Sequence, residues 1–424
     1  MVRFVFIRVL PYVLVIVAIF SVLPYFLFPV GNTFFLWGIE LLVIYLLLMA
    51  TRVFYSSENR RYMIFVKLFL LWNIFELIRG AFVAEIYWDW KALITNVFAY
   101  LIPLIAYSAS NIRFTQLLLS KYVKIGLPIF VLLFLFIRPG AYGFYLIPIS
   151  FLLIFLPSLP LRYIVLLIVF TLIVLVSDLG ARSNVIKFSI PFLFLVGYYS
   201  KGLVSTKVYS LLRISFLLIP ILFFILSVAG IFNPFKFDTY IEGDYTKTSE
   251  DEGGQTVEED LLSDTRTFLY QEVLSSAMKH DYYILGRSPA RGNDSNTFGE
   301  QAQEYTGRQE RFSNEASILN IFTWNGVIGV ILFFLVFWHS SYLSISKSNN
   351  IFSKWIGLLI AFNWMYCWVE NGNFFNLNYM MIWLMVGLGL SKEFREMTNR
   401  EVKIWVIGIF NSFYQGKNSH LIFK

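Results

Sequence analysis

Long apolar runs broken by short polar turns fill most of this chain, at roughly 10–30, 33–50, 64–84, 92–109, 125–137, 143–158, 162–178, 184–200, 214–232, 316–338, 353–369 and 373–390. A bilayer core takes ~20 apolar residues per helix, so the pattern predicts an all-α polytopic membrane protein with about twelve transmembrane helices, the fifth and sixth short. Between the ninth and tenth runs the pattern stops, and residues 233–312 form one large loop. The chain therefore divides into spans 1–9 (1–232), the loop (233–312), spans 10–12 (313–390) and a basic tail (391–424). In the tail, Lys403 to Tyr414 spaces Ile404, Trp405, Ile407, Phe410 and Phe413 as an interfacial helix would, with Gly408 against it.

Composition excludes a soluble chain. It is 58% hydrophobic and 14% charged, where soluble domains run about 45–50% and about 25%. One cysteine, Cys367, excludes an internal disulfide, and the three scattered histidines give no metal cluster, so neither metal nor cofactor is expected. The net charge of +7 is explained without nucleic acid. With twelve spans, Arg3, Arg8, Arg52, Arg60, Arg61, Arg113, Lys121, Lys124, Arg162, Lys201, Lys207, Arg213, Lys347, Lys354 and the tail share one side. The short loops opposite hold only Lys91, Arg138 and Arg182. The positive-inside rule then puts both termini in the cytoplasm and residues 233–312 outside. The first run lacks a small-x-small cleavage site before Gly31-Asn32 and reads as a retained anchor.

The external loop is segregated by charge. From Glu242 to Asp264 nine acids face Lys247 alone, a mobile composition, whereas Arg266 to Arg311 interleaves six bases and six acids with apolar positions and is the half expected to fold. Within it, Ser263 to His280 is spaced as an amphipathic helix, with Leu269, Val273 and Ala277 on one line and Tyr270, Leu274 and Met278 beside it. Ser263, Asp264 or Thr265 can cap it.

Candidate chemistry gathers on this side. Arg182, Arg266, Arg287, Arg291, Arg308 and Arg311 run against the positive-inside bias. Guanidinium binds phosphate bidentately at ~1.5–3 kcal/mol per charge-assisted bond, so a pyrophosphate is the ligand that fits; the competing reading pairs each arginine with a neighbouring acid. Glu315, at the mouth of the tenth run, can accept a hydroxyl proton or complement a helix dipole. Glu76 and Arg79 can neutralise each other inside the third run while Lys67 snorkels, and Glu370-Asn371-Gly372-Asn373 is a polar turn that can bind sugar hydroxyls. The first external turn carries no acid, there is no external Asp-x-Asp pair, and P-loop, Gly-x-Ser-x-Gly and His-Glu-x-x-His motifs are missing.

Three stretches carry a resemblance: Gly180-Ala181-Arg182-Ser183 opening a span, Asp264-Thr265-Arg266 opening the loop helix that leads to Leu285-Gly286-Arg287, and Glu315-Ala316-Ser317-Ile318-Leu319 followed by Gly326-Val327-Ile328-Gly329. In this order and on this side of the membrane they resemble the O-antigen polymerase and O-antigen ligase family. The resemblance covers about 180–338, and the first half by topology. It implies a fold of the GT-C kind and an inverting, metal-independent glycosyltransferase at the outer face of a bacterial inner membrane. Undecaprenyl-pyrophosphate-linked oligosaccharides would be donor and acceptor, with a chain-length regulator and a flippase as candidate partners. Arg182 and Arg266 match the family's arginine positions, Arg287 is a third, and Arg291, Arg308 and Arg311 would add substrate contacts. Ligases of the family carry a histidine where Glu315 stands, which favours polymerase over ligase. A flippase or transporter of the same lipid-linked sugars, or a non-catalytic assembly protein, are the rival classes.

Topology is directly measurable: a reporter active only outside the cytoplasm is expected to be on when fused near Gly253 and off when fused after Ser391. The reverse pattern removes the external-arginine argument.

Overall fold

The computed structural model describes residues 9–178, 182–199, 205–236, 246–250, 256–260 and 266–415. Arg3, Arg8, Gly180-Ala181, Lys201, most of the acidic stretch from Glu242 to Asp264 with the capping candidates Ser263, Asp264 and Thr265, and the end of the tail lie outside the described residues. In chain order the helices are α1 (Leu10–Tyr25), α2 (Thr33–Phe54), α3 (Ile64–Val83), α4 (Tyr87–Ala109), α5 (Ile112–Phe136), α6 (Pro139–Leu153), α7 (Leu161–Ser177) and α8 (Arg182–Tyr199). They continue as α9 (Thr206–Val228), α10 (Thr267–His280), α11 (Gly299–Thr306), α12 (Ser317–Ser346), α13 (Ile351–Tyr366), α14 (Leu377–Leu390), α15 (Lys392–Glu396) and α16 (Asn399–Phe410). Two antiparallel pairs complete the fold: β1 (Thr246–Glu250) with β2 (Thr256–Asp260), and β3 (Asn293–Asp294) with β4 (Glu310–Arg311). The chain is a mostly helical membrane protein. Among the described residues α2, α4, α5, α9 and α12 are long and apolar enough to cross a membrane, and α1, α6, α7 and α14 are shorter apolar helices.

The fifth element is longer than its apolar run. Ile112–Lys121 contains Arg113, Gln116 and Lys121, yet it buries Phe114, Leu118 and Leu119 and continues through a π-helical turn at Tyr122–Gly126, giving one helix of 25 residues. At the centre stands α14, apolar all round and buried along nearly its whole length, as such a helix must be. Its Gly387 meets α4 so closely that a Cβ would lie 2.6 Å from the Ala106 carbonyl oxygen. Small residues at such crossings replace the hydrophobic drive that is missing between helices in lipid.

The α12 helix is two helical halves joined at Gly326, whose backbone (φ 65°, ψ −169°) is not helical. Into this break the 282–287 segment inserts. The Val327 and Ile328 N–H groups donate to Tyr283 and Ile284 carbonyls (2.8 and 3.4 Å), and Arg287 N–H donates to Thr323 O (2.6 Å). Arg79 donates to the carbonyls of Leu285 (3.2 Å) and Gly286 (2.8 Å) while its Nε bonds Glu76 (2.7 Å). Around the break, Tyr100 donates to the Asn325 side chain (2.5 Å), which donates to Asn73 (3.0 Å), and Trp72 donates to the Asn325 carbonyl (3.1 Å). The charges of the third run thus neutralise each other and tie down the intruding chain. Lys67 is exposed.

Both segments expected to be amphipathic are helices. Of the α10 lines, Leu269, Val273 and Ala277 are fully buried, but Met278 is exposed, because Ser276 rather than Met278 completes the buried face and donates no surface to solvent. The tail segment is α16, opened by a Thr398/Glu401 capping box. Its Val402, Trp405, Val406 and Ile409 face is covered by protein. Gln116 donates to the Trp405 carbonyl (2.6 Å) and the Trp405 indole donates to Ile112 O (2.9 Å), with Gly408 providing the close approach for Gln116.

The interlock sets a prediction. At Gly286 (φ 80°) a Cβ would sit 2.5–2.6 Å from backbone atoms of Trp324, Asn325 and Gly326, so Gly286→Ala should lose more than about 1 kcal/mol and melt lower in detergent. Gly38→Ala, in open space on α2, should not. Equal melting of Gly286→Ala and wild type would contradict the interlock.

Candidate active site at the polar end of the bundle

Several turns meet at one end of the bundle. Phe26 bridges Ile137, so the α1–α2 and α5–α6 turns touch, and Asn184 of α8 donates to the Gly140 carbonyl (3.1 Å). The start of α12 is bound to the α13–α14 turn, because Ser317 N–H and Oγ both donate to the Glu370 carbonyl (3.1 Å each) and Gly372 N–H donates to Ser317 Oγ (2.7 Å). The Asn320 side chain accepts from Asn314 N–H (2.6 Å) and donates to Asn314 O (3.1 Å), and Asn371 donates to Asn314 O (2.7 Å).

The arginines singled out in the sequence fall into two groups. Arg287, Arg291 and Arg308 converge on the buried Glu310. Arg287 donates to Glu310 (3.0 Å), Asp294 (2.9 Å) and Gly292 O (2.7 Å), and Arg291 grips both Glu310 oxygens, its Nε at 3.0 Å. Arg308 pairs with Glu85 (2.7 Å) and Asp89 (3.4 Å), clipping the α3–α4 turn to the loop. With Lys279 on Asp294 (2.6 Å), four cations face four carboxylates, and the cluster is neutral. The short β3–β4 ladder holds it in register, pairing Asp294 with Glu310.

Arg266 and Arg311 form the other group with Glu315. Arg311 lies 3.2 Å from one Glu315 oxygen and Arg266 3.9 Å from the other, and Arg266 also donates to the Glu315 carbonyl (3.2 Å). Arg311 is stacked on Phe298 at 4.6 Å. The Glu315 side chain is 50% exposed, so the group opens to solvent. Among the described residues two guanidiniums thus meet at one carboxylate. Arg182, at the start of α8, is exposed and has no partner among the described residues. Asp178, its nearest acid in sequence, turns to Gly140.

Two residues that the sequence reading passed over complete the site. Lys187, one and a half turns into α8, is 9% exposed and donates to Glu370 (2.7 Å). It sits over the Tyr366 ring at 5.5 Å, and the Tyr366 hydroxyl lies beside Ser183 and Glu370 with Arg266 near enough to act on it. A lone lysine inside an apolar run is the signal that could have marked it. Glu310 carried no such signal, being one of many acids in the loop. Among the described residues no group of three or more His, Cys, Asp or Glu side chains is placed to hold a metal ion. Compared with protein families, with characterised proteins and with solved structures, the chain matches none.

The neutral cluster has an acid signature. Burial pushes the Asp294 carboxyl up, but hydrogen bonds from Lys279, His280 and Arg287 and the Arg287 charge outweigh it and hold it at about 2, below the ordinary 3.8. Asp294 therefore adds stability above about pH 4 that disappears as pH falls through about 2. Melting curves of wild type and Asp294→Asn should differ by a constant above about pH 5 and converge near pH 2; a gap unchanged at pH 2 would contradict this pairing.

Proposed function

We propose that this chain is a membrane glycosyltransferase that joins lipid-linked oligosaccharide repeat units at the outer face of a bacterial cytoplasmic membrane, as an O-antigen or capsule polymerase. One observation carries the reading: the arginines split into a buried cluster matched by carboxylates and a partly exposed group, Arg266 and Arg311 on the half-exposed Glu315, with Arg182 exposed at the start of α8. Guanidinium groups at a water-accessible membrane edge suit an anionic leaving group, and undecaprenyl pyrophosphate is the one that the family resemblance supplies. Twelve spans with cytoplasmic termini would put this end of the bundle outside.

In the proposed reaction Arg182, Arg266 and Arg311 hold the pyrophosphate and stabilise the charge that develops on it. Glu315 fixes the two guanidiniums and orients the acceptor hydroxyl. Arg287, Arg291 and Arg308 act one step back, by holding the loop. A second reading, a transporter of the same lipid, is favoured by a cleft between α6, α8, α13 and α14 lined by Lys187, Ser150, Asn363 and apolar side chains. Ligase activity would need an acceptor other than a second lipid-linked chain.

In cells, Arg182→Ala and Arg266→Ala should each abolish polymer on a polysaccharide gel with protein still in the membrane, and Lys should rescue poorly for want of a planar fork. Arg287→Ala should instead lose folded protein, because opening a buried pair costs ~3–5 kcal/mol. Full-length polymer in both Arg182→Ala and Arg266→Ala would sink the proposal.

A further inference from the structure

The Lys187–Glu370 pair is only half used. Glu370 Oε1 accepts from Lys187 (2.7 Å) and the Tyr366 hydroxyl lies beside the carboxylate, while Oε2 is buried with no hydrogen bond of regular geometry among the described residues. A buried carboxylate oxygen left unsatisfied is costly, and in a native protein it calls for an explanation. The backbone around it is fixed: the Glu370 carbonyl takes both Ser317 donors, two residues from Glu315. The side chain of Lys187 is a flexible four-carbon stem with a point charge, free to swap anions in a way that a stacked guanidinium is not. Lys187 also lines a small cleft whose walls include Phe151, Ile190, Leu359, Phe362 and Met381, so its ammonium stands between the polar end of the bundle and an apolar wall.

We propose that Lys187 and Glu370 are a donor-triggered switch: the donor pyrophosphate draws Lys187 off Glu370, and the released carboxylate takes the proton of the acceptor hydroxyl. The inference rests on the glycosyltransferase reading and assigns the acceptor step within it. Pyrophosphate carries more negative charge than a single carboxylate and competes for the ammonium. Once Lys187 has moved, Glu370 is a buried carboxylate without its counter-ion, with an oxygen available to accept the hydroxyl proton. Glu315, facing a guanidinium on each oxygen, is occupied in a way that Glu370 then is not.

The bonds balance. The acceptor oxygen bonds the anomeric carbon of the donor as the bond from that carbon to the pyrophosphate oxygen breaks. The electron pair leaves on the pyrophosphate, where Lys187, Arg266 and Arg311 meet it, and the hydroxyl proton passes to Glu370 and then to water. The switch also imposes an order, with no base exposed until the donor is seated.

Two measurements on the purified chain separate the switch from a merely structural pair: binding of undecaprenyl pyrophosphate by tryptophan fluorescence, and transfer from a lipid-pyrophosphate-linked repeat unit. Glu370→Gln should cut transfer by about 10²–10⁴-fold while binding undecaprenyl pyrophosphate as tightly as wild type or more tightly, since Lys187 is already free. Lys187→Gln should weaken that binding by about 10- to 100-fold. A structural pair predicts that binding, transfer and melting temperature fall together in both variants, and that result overturns the inference. If Glu370→Gln does not fold, the double variant Lys187→Gln/Glu370→Gln removes both charges; a folded double variant without transfer supports the switch, and one with transfer overturns it. A wild-type chain that lengthens nothing overturns the transferase reading and the base role together, whereas transfer surviving in Glu370→Gln overturns this inference alone.

Discussion

A helix broken inside an apolar layer must have its freed backbone groups met by protein, since lipid offers no partners. That constraint, at Gly326, organises the rest of this molecule. The 282–287 segment fills the break, Gly286 and Gly326 let the two backbones touch, and Arg79 with Glu76 fastens the intruding chain from α3. Because the segment enters α12 at that point, the loop on both sides of it is held against the bundle. The loop in turn carries Arg266, Arg287, Arg291, Arg308 and Arg311, so the position of each is inherited from one backbone interlock.

Charge then divides what the interlock has placed. In the buried cluster, carboxylates from three separate segments, Glu85 and Asp89, Asp294, and Glu310, match the cations one for one, and the cluster acts as a clasp between α3, α4 and the loop. At the start of α12, among the described residues, two guanidiniums meet at the half-exposed Glu315. Buried pairs of this kind contribute little net stability but are expensive to open, which suits a clasp; exposed guanidinium groups suit a ligand. The same chain segment, Glu310 to Glu315, belongs to both, with Glu310 facing inward and Glu315 outward.

Sequence reading reached the parts of this arrangement that depend on local periodicity. Helices stand at the apolar runs, and the Leu269, Val273, Ala277 line is the buried face of α10. It shortened α5, where polar residues conceal a buried face, and did not show that one face of α16 packs on protein through Gln116 and Trp405. Gly326 was legible as part of a motif but not as a break, because the groups that make the break tolerable come from residues about forty positions earlier and from α3 and α4. The division of the arginines was equally out of reach: every one has acids near it in sequence, and only the fold decides that Arg287 finds Glu310 and Asp294 whereas Arg266 and Arg311 share Glu315. Lys187 was hidden by the apolar run around it.

We propose that the guanidinium groups at the start of α12 serve glycan transfer between lipid-linked chains. Purified protein reconstituted in vesicles with a lipid-pyrophosphate-linked repeat unit tests it most directly, with products sized on a gel and lipid orientation followed in parallel. The account predicts products of two or more repeat units with release of the lipid pyrophosphate. Movement of the lipid across the bilayer with no lengthening would contradict it and favour a transporter.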